Sequence, residues 1–498
     1  MKQTCQSACA VVRPAERMIV SNPAELRPPR RAARDSASQV VLGLAILWSR
    51  EEPDRVGEVA LPPGDADLLA FGRAPEIGGR PLGLVRQRAG DNQSCGPLRA
   101  AAVSRVQLLV RPGPSSLGLS NVGRLPMLHD GREVSDMTAR AGDIIQIGDE
   151  LVVMVVYRLR QLPALALPGP LVPAFGCADA FGIVGESAAA WELRRQLAFA
   201  ARQRNHVLLS GPSGGGHEVI ARALHHLSHD ASGPWVAHSG AWPDREIDAE
   251  LFGTARDAAS PGAAERPGLV GRADGGTLFL DDIDGLPAAE RARLLRMLDD
   301  GTYQRAGDPC ARAAQLRLVA SCHRAPHELD RELAARLPLR IAVPGLDERR
   351  EDVPLVARHV LRELAARDPD LARFFHGGDP GGEPRWTAAL VTELASRSFT
   401  THVRELAGLL WDAMRRSPDG VLDTPALRDD GGEKAIDTTV DPRTLDAAHV
   451  QAALHQCGGV QERAWRALGL RSRYQLIRLL RKYGLSASAC ASVEASGA

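Results

Sequence analysis

Hydrophobic and polar positions follow two different patterns along the chain, and the first occupies residues 39–160. Short apolar runs of β type alternate there with Gly, Pro and Asp. These runs are Val40–Trp48, Gly83–Gln87, Val106–Arg111, Ile144–Ile147 and Leu151–Val156. Several short strands at this spacing are typical of a β-sandwich. The pattern therefore predicts a β-sandwich over residues 39–160.

The second pattern alternates strand-like and helical stretches and follows a Pro/Leu/Ala-rich segment at 161–178, which reads as an interdomain linker. A helix is predicted at Ala188–Gln203. Next, the apolar run Val207–Ser210 passes into a glycine-rich loop and a further helix. This alternation predicts an α/β domain over 179–345 with a helical lid over 346–416.

The two ends of the chain differ from its middle. Residues 1–38 are rich in Arg, Pro and Ala and predict a disordered arm. Residues 417–440 predict a second linker, and 486–498 a tail. Between these, 441–485 predicts three helices separated by glycine-containing turns, which is typical of a helix-turn-helix. The predicted fold class is thus multidomain, with a β-sandwich, an α/β domain with a lid, and an all-α helix-turn-helix.

Composition narrows the function classes. The chain has 61 basic and 61 acidic residues, so a nucleic-acid partner would need a local basic patch. Its eight cysteines show no metal-type spacing. The longest apolar run, Val40–Trp48, is far below the ~18–20 residues of a membrane span. We expect a soluble cytoplasmic protein without a membrane partner.

The glycine-rich loop Gly211–Gly216 has the layout of a phosphate-binding loop, because a strand leads into it and a helix leaves it. That motif has Lys after its last glycine, whereas this chain has His217. An imidazole, with an ordinary pKa of about 6.5, is mostly neutral at pH 7 and too short to replace an ammonium group. We therefore expect a loop that binds a nucleotide and supports hydrolysis poorly.

Two carboxylates, Asp281 and Asp282, follow the buried-strand pattern Gly275–Leu280. An acid at the carboxyl end of a strand, beside a phosphate-binding loop, is a position where Mg²⁺ is held. The sequence predicts Asp281 as the Mg²⁺ ligand.

Eight segments between residues 181 and 415 share the pattern of one known module. They are Leu208–Glu218, Ala249–Gly253, Arg266–Gly268, Ala273–Ile283, Leu294–Leu298, Asp300–Arg305, Pro344–Pro354 and Val403–Leu406. They resemble the AAA+ module of the bacterial sigma-54-dependent activators. The resemblance implies ATP and Mg²⁺ as cofactors, a homo-oligomeric ring and hydrolysis between subunits. It implies a nucleotide-binding set of Ile183, Val184, Gly211, Ser213, Gly214, Gly215, Gly216, His217, Glu218 and Arg404.

Several functional positions of that module are altered here. The resemblance implies Asp281 and Asp282 as catalytic residues, with Asp282 in place of the family's catalytic glutamate. His238 and His323 stand where the family has Asn. Arg336 matches one of two arginines that act on the neighbouring subunit, whereas Asp330 occupies the position of the other. Because a displacement of ~1 Å can reduce a catalytic rate on the order of 10²-fold, we expect a degenerate ATPase.

The loop that contacts RNA polymerase in that family departs from its GAFTGA pattern. Residues 257–262 read Asp-Ala-Ala-Ser-Pro-Gly, without the aromatic residue and with a proline near the tip. An apolar anchor on a partner contributes ~2 kcal/mol or more. Its loss argues against engagement of sigma-54 polymerase.

The sandwich carries Gly72-Arg73, Ser104-Arg105, Asn121 and a closing segment, Ala141–Asp149. These residues resemble a forkhead-associated domain, which implies a phosphothreonine protein from a Ser/Thr kinase pathway as partner. The implied binding residues are Arg73, Ser104, Arg105 and Asn121. A phosphate dianion requires charge-assisted donors such as a guanidinium group. Gln107 replaces the family's His, and Asp130 lies where the family has Asn-Gly, so docking without phosphate remains the alternative.

The last predicted helix, Ser472–Tyr483, carries a cluster of arginines. It resembles the Fis-type module that closes sigma-54 activators, which implies DNA as a partner. Such a cluster supplies a local basic patch, and the first turn of a recognition helix reaches base edges. The DNA-binding set is Arg471, Ser472, Arg473, Tyr474, Gln475 and Arg478. The alternative is a solvated helical face.

Taken together, the sequence predicts a three-domain transcription regulator that binds ATP, hydrolyses it poorly and does not drive sigma-54 promoter melting. Two alternatives remain open at this point. One is a fully active ATP-dependent sigma-54 activator that tolerates His217 and Asp282. The other is a phosphopeptide-dependent signalling scaffold whose helix-turn-helix serves mainly for dimerisation.

Overall fold

The computed structural model describes residues 39–64, 67–229, 231–239, 247–258, 262, 264–323, 331–424 and 446–456, with single positions 464, 468, 479, 480, 482 and 483. The chain divides after Thr424 into two units, which are treated separately below. The predicted arm 1–38, the tail 486–498 and residues 425–440 of the second linker lie outside the described residues.

The strands are β1 Val40–Ser49, β2 Val59–Ala60, β3 Leu69–Phe71, β4 Leu84–Arg88, β5 Asp91–Ser94, β6 Leu108–Pro112, β7 Leu117–Asn121, β8 Met127–His129, β9 Arg132–Glu133, β10 Asp136–Ala139, β11 Ile144–Ile147, β12 Leu151–Leu159, β13 Val207–Ser210, β14 Trp235–His238, β15 Gly253–Thr254, β16 Arg266–Pro267, β17 Thr277–Leu280, β18 Thr302–Tyr303, β19 Arg312–Ala313, β20 Arg317–Cys322 and β21 Leu339–Ala342. The helices are α1 Ala188–Ala201, α2 His217–Leu227, α3 Ile247–Phe252, α4 Leu269–Arg272, α5 Ala288–Asp300, α6 Arg331–Arg336, α7 Val353–Arg367, α8 Ala388–Ser396, α9 His402–Arg416 and α10 Ala447–Gln456.

The first twelve strands form a β-sandwich. A larger sheet, in the order β5-β4-β2-β1-β12-β11-β8-β9, faces a smaller sheet, β10-β7-β6-β3. Leu44 and Val153 of the larger sheet pack against Phe71 and Leu108 of the smaller one. The five predicted runs coincide with β1, β4, β6, β11 and β12. The remaining strands are five residues or shorter, too short for a clear alternation of apolar and polar positions.

The outer face of the larger sheet is also covered. Leu47, Trp48 and Met154 pack there against Val391 and Ala395 of α8. A strand buried on both faces shows a near-continuous apolar run rather than an alternation. This burial explains the unbroken apolar runs in β1 and β12.

The α/β domain is built on a five-stranded parallel sheet in the order β14-β17-β20-β13-β21. Helices α1 and α2 cover one face, where Ile220 packs against Leu209. Helices α3, α4 and α5 cover the other, where Leu251 packs against Leu208. Because all five strands are parallel, their carboxyl ends meet at one edge, and this edge carries the candidate site.

The lid formed by α7, α8 and α9 extends further than the sequence suggested. Leu422 pairs with Trp386 and is fully buried, so the ordered structure continues past residue 416 to Thr424. Two adjacent apolar residues, Val421 and Leu422, are too few to show the periodicity that predicts an ordered element. The segment 161–178 contains no strand or α-helix, but Leu171 is fully buried in the core beside α1.

In the second unit, α10 packs Val450 and Leu454 with Leu468, Leu479 and Leu480 in a small apolar core. The predicted DNA-binding residues at 471–478 lie outside the described residues. Among the described helices of the whole chain, none combines the length and apolarity that crossing a membrane requires.

Candidate functional site

A glycine-rich loop at the carboxyl end of β13 forms the base of the site. Gly214 and Gly216 have φ angles of +79° and +98°, a left-handed conformation that favours glycine. A Cβ atom on Gly214 would also lie 2.1 Å from the carbonyl oxygen of Thr401. Helix α2 begins immediately after the loop, at His217, and its first-turn N–H groups have no partners within the helix. The loop and the positive end of the helix together form a backbone cradle for an anion.

His217 lies where a phosphate-binding loop carries its lysine, and its imidazole is buried, with 5% exposure. The Nε2 atom has no hydrogen-bond partner within the described structure. The pKa of His217 is lowered to about 4, chiefly by burial and in part by His323, while Asp281 acts in the opposite direction. The side chain is therefore neutral at pH 7, and its Nε2 atom can form one hydrogen bond but supplies no positive charge.

Asp281 and Asp282 follow β17 at the same edge. The Ser321 hydroxyl donates a hydrogen bond to Oδ1 of Asp281 at 2.5 Å and accepts one from the backbone N–H of Asp282 at 2.8 Å. Ser321 thus orients both residues. Sequence reasoning missed it, because a single hydroxyl inside the apolar strand β20 carries no motif.

The two other histidines at altered positions border this edge. The His238 carbonyl accepts a hydrogen bond from the Asp281 backbone at 2.9 Å. Burial lowers the pKa of the His238 side chain, opposed by Glu250 and Asp281. Nδ1 of His323 lies 3.2 Å from the Gly211 carbonyl oxygen, and its ring packs edge-on against His217. Within the described residues, no group of three or more His, Cys, Asp or Glu side chains is arranged to hold a metal ion.

Ile183 and Val184 are buried, and their backbone is fixed by two arginines that sequence reasoning missed. Arg194 donates to the Ile183 carbonyl at 3.0 Å, and Arg349 donates to the Val184 carbonyl at 2.9 Å. Burial lowers the pKa of both guanidinium groups. In the sequence, Arg194 lies within the helical pattern of α1 and Arg349 within the charged stretch Leu346–Asp352, and in neither place does it differ from a surface arginine.

The lid reaches the loop directly. The Val403 backbone N–H donates to the Gly214 carbonyl at 3.2 Å, which places the exposed Arg404 beside the loop. Gly215 closes a turn with Pro212 around Ser213, with an N–H···O distance of 3.1 Å.

Two predicted residues have partners elsewhere in the chain. Glu218 forms an exposed ion pair with Arg222 along α2, at 3.0 Å, which supports the helix. Arg336 pairs with Asp299 at 2.6 Å and shares a cavity with His206, at the amino end of β13. It therefore lies away from the loop of its own chain. The aligned Asp330 lies outside the described residues.

The segment that aligns with the polymerase-contacting loop is only partly described. Asp257 has a φ angle of 63°, and its Oδ1 accepts a hydrogen bond from Gly262 at 2.7 Å. Residues 259–261, at the loop tip, lie outside the described residues. The aspartate therefore closes the base of this loop.

The second predicted site lies on the loops of the sandwich. The Arg73 Nε atom donates to the Val103 carbonyl at 3.2 Å, and Arg105 is exposed. The Asn121 amide accepts from Gln107 at 2.8 Å and donates to the Leu125 carbonyl at 2.9 Å. The structure therefore brings Arg73 and Ser104 together, whereas Asn121, predicted as a binding residue, is engaged in holding the loop that follows β7.

We expect acid to destabilise the protein through His217. In the unfolded chain this imidazole takes up a proton near its ordinary pKa of about 6.5, whereas the folded state resists protonation down to about pH 4. The resulting contribution to the free energy of unfolding is fully present above pH 6.5. It decreases as the pH falls toward 4, by about 3 kcal/mol in total. Thermal unfolding midpoints of wild type and His217→Gln between pH 7.5 and 4 would measure this, and the variant should show the shallower dependence. His226→Gln, at an exposed position, should keep the wild-type slope; equal slopes for all three proteins would contradict the assignment.

The amino-acid sequence is similar to those of known transcriptional regulators. Residues 183–344 match the family described as "Sigma-54 interaction domain". The chain is 30% identical over 317 residues to the transcriptional regulatory protein GlrR of Escherichia coli (strain K12), covering 61% of this chain and 69% of that protein. It is 31% identical over 322 residues to the transcriptional regulatory protein ZraR of Salmonella typhimurium, covering 60% and 69%. A crystal structure of NtrX from Brucella abortus in complex with ADP aligns with a TM-score of 0.44 and 24% identity, covering 62% of this chain and 70% of that one.

Proposed function

Because this chain belongs to the family of sigma-54-dependent transcriptional regulators, we propose that it is a DNA-binding regulator whose core binds ATP and hydrolyses it slowly. The observation that carries the proposal is the buried, uncharged His217 at the position of the loop lysine. Loss of that fixed charge affects hydrolysis more than binding, since backbone N–H groups still face the phosphates.

The residues of the site fit a nucleotide in part. The backbone cradle between Gly211 and His217 would hold the α- and β-phosphates. The unpartnered Nε2 atom of His217 can donate one hydrogen bond to a phosphate oxygen in one tautomer. Ile183 and Val184 supply a fixed backbone wall, and Arg404 extends from the lid beside Gly214. ATP is the expected nucleotide.

A magnesium ion also has a suitable carboxylate. Asp281, held by Ser321, provides the hard oxygen ligand that Mg²⁺ prefers. When bound, the ion would neutralise phosphate charge. Two side chains expected to promote hydrolysis are altered. Asp282 is one methylene shorter than glutamate, and His217 carries no charge at pH 7.

We assign signal recognition to the sandwich and DNA binding to the C-terminal unit. Arg73, Ser104 and Arg105 would read a phosphothreonine in a partner protein, and the arginines at 471–478 would contact DNA. A homo-oligomer is proposed from the family. The Asp257–Gly262 loop lacks an aromatic anchor, so contact with sigma-54 polymerase is proposed to be weak.

Nucleotide binding and turnover, measured on one preparation of the full chain, test the core of this proposal. We expect saturable binding of a fluorescent ATP analogue in the presence of Mg²⁺, together with phosphate release far below the ~1 s⁻¹ at the low end for enzymes. Asp281→Ala should weaken Mg²⁺-dependent binding. Release at ~1 s⁻¹ or faster that Asp281→Ala abolishes would identify an active ATPase and contradict the proposal.

A further inference from the structure

Two loops of the sandwich contact the loop that carries Ser104, and each of the three loops has an exposed arginine. The backbone N–H of Arg73 donates to the Ser104 carbonyl at 3.1 Å, and that of Ala74 donates to the Arg105 carbonyl at 2.9 Å. From the loop after β7, the backbone N–H of Arg124 donates to the Ser104 Oγ atom at 2.8 Å. The Cα atoms of Arg73, Arg105 and Arg124 are thus fixed around one hydroxyl.

These three arginines differ from the others at the edge of the sandwich. Arg55, Arg86 and Arg99 each pair with a buried glutamate. Within the described residues, by contrast, no carboxylate forms an ion pair with Arg73, Arg105 or Arg124. Like charges held together without counter-ions repel one another. Three such arginines beside a hydroxyl group that can still donate a hydrogen bond are suited to binding a dianion such as a phosphate group.

We propose that Arg124 is a phosphate-binding residue of this sandwich, acting with Arg73 and Ser104 on the phosphate group of a phosphorylated peptide. Its guanidinium group would supply a donor fork from a different loop than that of Arg73. The proposal rests on the proposed phosphothreonine-reading function and adds to it a residue that no motif indicated. The Arg124 backbone N–H binds the Ser104 Oγ atom, so the hydroxyl hydrogen remains available to donate to the phosphate.

A peptide is the ligand that best fits the surroundings of the three arginines. Val122 and Ile77, on two of the same loops, are 53% and 63% exposed. Apolar side chains beside a cation cluster can contact the side chains that flank a phosphorylated residue, and a bare phosphate ion would leave them unused.

The test is binding of the full-length protein to a fluorescent, degenerate phosphothreonine peptide pool, with the unphosphorylated pool for comparison. Arg124→Ala should weaken binding about tenfold or more, as expected for hydrogen bonds to a charged group. Arg111→Ala removes an exposed arginine of the same sandwich, further along β6, and should change binding less than about twofold. Arg124→Lys should recover part of the affinity as a point charge.

Stability separates a binding role from a structural one. Because alanine keeps the backbone N–H that holds Ser104, the thermal midpoint of Arg124→Ala should equal or exceed that of wild type, since mutual repulsion is relieved. Inorganic phosphate should compete with the peptide only at much higher concentration. Competition by free phosphate as strong as by the peptide would contradict a peptide site.

The outcomes distinguish failure of the Arg124 assignment from failure of the phosphopeptide-binding function. If Arg73→Ala abolishes phosphopeptide binding while Arg124→Ala behaves like Arg111→Ala, the role of Arg124 is wrong and the phosphopeptide function stands. If wild type does not discriminate the phosphorylated from the unphosphorylated pool, or binds a DNA duplex instead through these arginines, both statements are wrong.

Discussion

The double variant His217→Lys/Asp282→Glu is expected to hydrolyse ATP on the order of 100-fold faster than wild type. The lysine would restore a fixed positive charge beside the β- and γ-phosphates. The glutamate would extend the second carboxylate by one methylene from a position whose backbone N–H is already held by Ser321. Phosphate release at saturating Mg²⁺-ATP measures the effect.

Each single variant serves as a control for the double one. His217→Lys alone should raise turnover more than it tightens triphosphate binding, although by less than the double variant, and Asp282→Glu alone should leave binding unchanged. Adding Asp281→Ala to the double variant should abolish the gained activity. If wild type already turns over as fast as the double variant, the altered residues are tolerated and the slow-hydrolysis proposal is wrong.

Replacing Arg194 with Met is expected to lower the free energy of unfolding by about 3–5 kcal/mol. Arg194 is fully buried; it donates to the carbonyls of Ile183 and Gly185, and its Nε lies 3.6 Å from Asp179. The variant would leave the Asp179 carboxylate and two carbonyl oxygens without this partner. Thermal and denaturant unfolding of the full chain would measure the loss.

The adjacent Arg195 provides a matched control for Arg194. It is half exposed and pairs with Glu192 on the surface of α1 at 2.5 Å. Arg195→Met should change stability by less than about 1 kcal/mol. Because Arg194 fixes the Ile183 carbonyl, Arg194→Met should also weaken ATP binding at temperatures where the protein remains folded. Equal stability of the two variants would contradict the structural role of Arg194.

Much of the fold could be predicted from local patterns. Long apolar runs bounded by turn residues predicted β1, β12 and the parallel strands β13 and β17, because burial on both faces leaves a continuous apolar signature. The layout of strand, glycine loop and helix located Gly211–His217. Strands of two to four residues, such as β2 and β9, were not predictable, since they are too short to show a period and depend on their neighbours for pairing.

The candidate site was predictable only where a residue belongs to a local motif. Asp281 and His217 could be found because they follow a strand and a glycine loop. Ser321, Arg349 and Arg124 could not, because each acts on atoms distant in sequence: Ser321 lies 40 residues from Asp281, and Arg349 lies 165 from Val184. The state of His217 also required the structure, since its burial depends on residues distant in sequence, such as His323, whose ring packs against it.

The placement of α8 on the outer face of the larger sheet has a mechanical consequence. The same lid that contacts the phosphate loop through Val403 is attached, through Val391 and Ala395, to the sandwich. A hinge motion of the lid would either move the sandwich as well or separate α8 from the larger sheet. Separation would expose Trp48 to water. A displacement of the lid would therefore be coupled to the sandwich through this contact, and a displacement of the sandwich to the lid.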